Sequence, residues 1–109
     1  MKTYSAESGY VYQYVYEGRR PLAESVEYVF SASADRTRFF DVSIVVPDES
    51  VEQWNAAHGR ELCDAERYGI AKMALRQAFD QRDNPDEMKK QVRVEPPELE
   101  TLAESLGLE

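Results

Sequence analysis

The chain has 109 residues, of which 42% are apolar, 31% charged and 11% aromatic, with a formal charge of −8. That length holds one domain, spanning 1–109, and excludes a TIM barrel or a dinucleotide domain joined to a substrate domain. The aromatic and valine content excludes a disordered chain, and the acidic balance argues against gripping a phosphate backbone, which needs clustered Lys and Arg.

Cys63 is the single cysteine, so no internal disulfide can form, which suits a reducing compartment. No apolar run approaches the ~20 residues of a membrane span, and Met1–Glu7 lacks the apolar stretch of a signal peptide. The expectation is a soluble, cytoplasmic protein with no membrane partner. Residues 1–8 read as a flexible lead. Charge is concentrated at the other end: residues 95–109 hold five acids and no base.

Tyr10–Tyr16 reads Tyr-Val-Tyr-Gln-Tyr-Val-Tyr, the period-two alternation of a strand. Gly18 and Pro21 punctuate a loop from Glu17 to Ser25. Val26–Ser33 alternates again, with Val26, Tyr28, Phe30 and Ala32 on one face. After a short turn at Ala34–Thr37, Phe39–Val46 forms a third strand, with Phe40, Val42, Ile44 and Val46 facing the core. Short connections favour antiparallel neighbours, so the simplest sheet is a three-stranded meander.

Pro47 ends that strand, and Asp48 or Ser50 can cap a short helix that Gly59 stops. A longer helix starts near Cys63 or Asp64 and runs to about Gln81. Tyr68, Ala71, Ala74, Leu75, Ala78 and Phe79 fall on one of its faces, so it should lie on the sheet. Val92–Val94 hints at a short extra strand. Pro96-Pro97 opens an acidic C-terminal helix with Leu99, Leu102 and Leu106 on one stripe and Gly107 as its stop. The fold class is α+β: a three-stranded antiparallel meander packed on a long amphipathic helix, with a short preceding helix and a C-terminal helix.

The outer face of such a sheet would carry Glu27, Val29, Ser31, Ser33, Phe39, Asp41, Ser43 and Val45. It would also carry either Val11 and Val15 or the tyrosines, depending on the register of the first strand. That face is more apolar than ordinary solvent-facing sheet. Val29, Phe39 and Val45 therefore mark a candidate interaction surface. Tyr10, Tyr12, Tyr14 and Tyr16 share a strand face and form a candidate aromatic platform, better suited to protein than to nucleic acid, which would need bases around the rings.

Other motifs carry less. Tyr68-x-x-x-Lys72 has the spacing of a tyrosine activated by a lysine one helical turn on, but no Gly-rich cofactor loop accompanies it. His58 has no second histidine to complete a metal site. Cys63 lies among Glu61, Asp64 and Glu66, which oppose thiolate formation; Glu66 stands three residues on, as in a capping box. The acidic runs suggest a decoy of nucleic acid, yet thirteen bases dilute them. The reading is a non-enzymatic protein-interaction module without cofactor or metal, acting on protein and on a second copy of itself. The alternatives are an acidic inhibitor or decoy of a nucleic-acid-binding protein, and a small-molecule binder with a pocket near Trp54, His58 and Tyr68.

Overall fold

Five strands form one sheet in a computed structural model that describes all residues Met1–Glu109: β1 (Lys2–Ser5), β2 (Val11–Pro21), β3 (Ser25–Ser33), β4 (Phe40–Pro47) and β5 (Val92–Arg93). They lie in the order β1-β2-β3-β4-β5. The first four are antiparallel, and β5 joins β4 parallel, with Val45 opposite Arg93. Three helices, α1 (Asp48–His58), α2 (Asp64–Gln81) and α3 (Pro96–Ser105), and a 3₁₀ turn at Pro85–Lys89 complete the chain. The class is α+β with an antiparallel sheet. No helix is long and apolar enough to cross a membrane.

Two features correct the three-stranded meander. The sheet gains β1 at one edge and β5 at the other. Residues 1–8 are thus a strand and turn, with Tyr4 opposite Tyr12. The tyrosine strand also runs past its expected end. Gly18 does not stop it but forms a β-bulge after Tyr16, at φ 143°, a conformation open to glycine and costly for other residues. Pro21 closes β2 at its last position, where a missing N–H costs nothing in the ladder. The true connection to β3 is only Leu22–Glu24, with the Leu22 N–H donating to the Ser25 carbonyl at 2.8 Å. Because β1 spans only Val11–Tyr14 of β2, the outer edge of Val15–Arg20 has no strand beside it.

The helices sit on one face because only that face is continuously apolar. Tyr12, Tyr14, Tyr28, Phe30, Val42 and Ile44 are fully buried beneath them. Helix α2 buries Ala71, Ala74, Leu75, Ala78 and Phe79 as its pattern predicts, while Tyr68 is half-buried. The alanines let α2 approach the strands, and the rings of β2 march along it. Tyr16 packs on Tyr68 at 4.7 Å, and Tyr12 stacks on Phe79 at 4.1 Å. Helix α3 docks on α1 and α2, burying Leu99, Leu102 and Ala103. Leu106 falls at the C-cap and stays exposed.

The helix ends follow the local chemistry. Gly59 takes the left-handed conformation at φ 68° and donates its N–H to the Asn55 carbonyl at 2.9 Å, ending α1. At the start of α2, the Glu66 carboxylate accepts the Cys63 N–H at 3.0 Å, the acid arm of the expected capping box. At the start of α1, Pro47 takes the capping position instead of Asp48 or Ser50. Ser50 turns inward and donates to the Val94 carbonyl at 2.8 Å, tying α1 to the segment after β5.

Candidate functional site

The structure divides the seven candidate residues between two faces. Tyr12 and Tyr14 are buried against α2, and Tyr16 is half-buried between Phe30 and Tyr68. No tyrosine platform faces outward, because Phe79, Arg76 and Tyr68 claim that side of β2 for the core. Tyr10 alone remains exposed, at the end of the sheet. The register therefore leaves Val11 and Val15 on the outer face, 46% and 37% exposed.

Phe39, just before β4 and two strands away, is 44% exposed, and Val29 on β3 is half-buried. Val45 also points outward but is buried, flanked in register by Glu27 on β3 and Arg93 on β5. It belongs to the packing of the face rather than to what a partner could touch. Gln13, Ser31 and Ser43 fill the positions between, and the buried residues of all three helices cluster with the inward-facing residues of the opposite side.

A polar cluster that the sequence reading misses sits on this face near the β2–β3 connection. The Glu27 carboxylate accepts from the Arg20 Nε–H and from the Ser43 hydroxyl, and Glu27 is 8% exposed. The Ser43 bond holds its pKa below the usual carboxylate range, against the cost of burial and with help from Arg20. The signal in the sequence is a lone carboxylate in mid-strand, but its partners come from two other strands. Asp41 and Arg93 are the other charged groups of this face, and Arg93 is itself paired with Glu95 at 2.6 Å.

The other motifs separate. His58 stacks on Trp54 at 4.1 Å and bonds the Glu100 carboxylate at 2.7 Å, linking α1 to α3. Arg60 lies over the opposite part of this assembly, 4.9 Å from the Trp54 ring, and holds Glu66 through two bonds of 2.9 Å. Tyr68 packs instead with Tyr16 and Phe30, so no pocket unites Trp54, His58 and Tyr68. Burial raises the Tyr68 pKa, the opposite of what activation by Lys72 would require. Cys63 is free and exposed. No group of three or more His, Cys, Asp or Glu side chains is placed to hold a metal ion.

The acidic surface is interrupted throughout by bases. Arg19 pairs with Asp64, Lys89 with Asp86, Lys90 with Glu87 and Arg93 with Glu95. Even the cleft where Glu24, Asp48, Glu49 and Glu52 gather includes Arg93. No family model, no curated protein and no solved structure matches the chain.

Proposed function

We propose that this chain is a non-enzymatic interaction module that pairs with a second copy of itself, outer sheet face to outer sheet face. One observation carries the reading: an uncovered sheet face with Val11, Val15 and Phe39 exposed on it. Its bases are paired within one copy, Arg20 with Glu27 and Arg93 with Glu95, which favours a copy as the occupant. Two such faces meet without a strong field of one sign, whereas the chain as a whole carries −8 and repels itself. The serines keep the face low between the valines, which suits two sheets stacked about 10 Å apart.

The available area decides the strength. Three strands, β2–β4, about 4.8 Å apart and about 26 Å long give roughly 370 Å² per copy, or about 750 Å² for a pair. That lies below the standard interface and points to a weak, concentration-dependent dimer rather than an obligate one. Sedimentation velocity across about 5–500 μM tests this. The wild type should shift from monomer to dimer within that range, as a small, weak interface does. Phe39→Asp should remain monomeric at every concentration with an unchanged thermal melt, because Phe39 precedes β4 and is exposed. Val15→Asp should behave the same way. A wild type that stays monomeric at the highest concentration, or two variants that dimerise as it does, would refute the proposal.

A further inference from the structure

Where the start of β2, the β3–β4 turn and the 3₁₀ turn meet, the surface opens into a cleft of about 430 Å³, within the size range of small-ligand sites. Its floor is aromatic. Tyr10 and Phe40 line it beside Ala34 and Pro85, and the Tyr10 ring leans on buried Tyr12 with centroids 6.0 Å apart. The core therefore supports the Tyr10 ring from below.

The polar groups around this floor divide by what the fold already uses. Asp35 Oδ1 accepts the Thr37 N–H at 2.9 Å, the Arg38 N–H at 2.8 Å and the Ser33 hydroxyl at 3.1 Å, so this carboxylate builds the turn. Asp86 pairs with Lys89 at 3.2 Å. The Asn84 carbonyl oxygen accepts the Glu87 N–H at 3.1 Å. Left over are the Arg38 guanidinium, the Asn84 amide N–H₂ and the Tyr10 hydroxyl, none of which bonds any other side chain. All three can donate, and they surround two rings. The turn that presents Arg38 is itself constrained: Arg36 sits at φ 68°, in the left-handed region, with its N–H donating to the Ser33 hydroxyl at 2.9 Å.

We propose that this cleft binds a small planar aromatic ring carrying one carboxylate or phosphate group. The ring packs on Tyr10 and Phe40, and the anion takes the Arg38 fork, whose geometry matches either group through two parallel bonds. The Asn84 N–H₂ and the Tyr10 hydroxyl supply further donors. The flanking Asp35 and Asp86 carboxylates and the overall charge of −8 restrict the ligand to a single anionic group and turn away polyphosphates and nucleic acid strands. The site lies on the helix side of the sheet end and does not rest on pairing through the outer face.

Titration of isotope-labelled protein with benzoate and with phenyl phosphate, read by amide chemical shifts, tests the assignment. The expected result is saturable shifts at Tyr10, Arg38, Phe40 and Asn84 with a Kd of about 0.1–1 mM for at least one of the two, a strength suited to so small a ligand. The one that saturates first identifies the preferred anion. Benzyl alcohol and acetate, which each carry half of the ligand, should bind at least tenfold more weakly. Arg38→Ala should weaken binding at least tenfold and keep the fold, because the Arg38 side chain makes no bond within it; Arg38→Lys should restore only part, since an ammonium lacks the fork. No saturable shift from either anion up to about 10 mM, or an Arg38→Ala variant that binds as tightly as wild type, overturns the proposal.

Discussion

Removing one hydroxyl from β2 should stabilise the protein, and removing its neighbour two residues on should do the reverse. Tyr12 is fully buried, and its hydroxyl has no hydrogen-bond partner. Its ring stacks on Phe79 at 4.1 Å and 10°, a contact that phenylalanine would keep. Burying an unsatisfied hydroxyl costs about 1–3 kcal/mol. Against this, Tyr12→Phe leaves a gap of one oxygen atom, costing only about 0.3 kcal/mol at ~24 cal/mol per Å³. The net expectation is a gain of about 1–2 kcal/mol, or roughly 4–8 °C in Tm for a chain of this size. Tyr14 is equally buried, but its hydroxyl accepts from Arg76 at 3.1 and 3.3 Å. Tyr14→Phe strips a charged donor of its acceptor and should cost about 1–2 kcal/mol. Urea and thermal unfolding of both variants side by side provide the assay. Burial also raises the Tyr12 pKa, so the folded state resists ionisation that the unfolded chain undergoes near pH 10. The stability it supports below that pH is lost as pH climbs further, and Tyr12→Phe should flatten this alkaline decline. If Tyr12→Phe lowers stability by more than about 0.5 kcal/mol, its hydroxyl is satisfied and the reasoning fails.

The acid limb should report the Arg60–Glu66 pair. Arg60 first, and the Cys63 N–H second, hold the Glu66 carboxyl down from 4.5 to about 2. A depressed folded pKa contributes stability that is present above about 4.5 and drains away as pH falls towards 2. In Arg60→Ala the decline in Tm over that window should be shallower than in wild type, and an unchanged slope would contradict the pairing. A second test concerns Asp80, which pins β1 by accepting the Tyr4 hydroxyl at 2.6 Å and the Glu7 N–H at 2.9 Å. The Asp80 bond comes first among the causes that push the Tyr4 pKa to about 12. Asp80→Ala should bring one tyrosine back towards pH 10 in an ultraviolet titration and erase amide-exchange protection across Lys2–Ser5. A Tyr4 that still titrates near 12 would assign its shift to burial instead.

Alternation and caps made much of this fold legible. Three strands, the break at Gly59 and the apolar face of α2 follow from residue spacing, which is local. The elements that escaped owe their shape to neighbours. Lys2-Thr3-Tyr4-Ser5 has one ring and no apolar alternation, and it is a strand because β2 offers it an edge and Asp80 fastens it. Gly18 reads as a loop residue in isolation, whereas the ladder to β3 continues past it. Alternation shows that the tyrosines of β2 share a side but not which side, and the rings of α2 decide that. The outer-face residues Val29 and Phe39 were visible as candidates from their strand parity. The Arg20–Glu27–Ser43 cluster and the free donors around Tyr10 were not, because each draws on segments far apart in the chain.

The bulge at Gly18 has a consequence for how large an assembly this protein can build. From Val15 to Arg20 the rim of β2 is bare, the kind of template on which chains add without limit into filaments. The bulge interrupts the ladder there, Arg19 and Arg20 are engaged by Asp64 on α2 and Glu27 on β3, and Pro21 withholds a donor at its end. Edge-to-edge addition of strands, the route to open-ended growth, is thereby disfavoured at this rim.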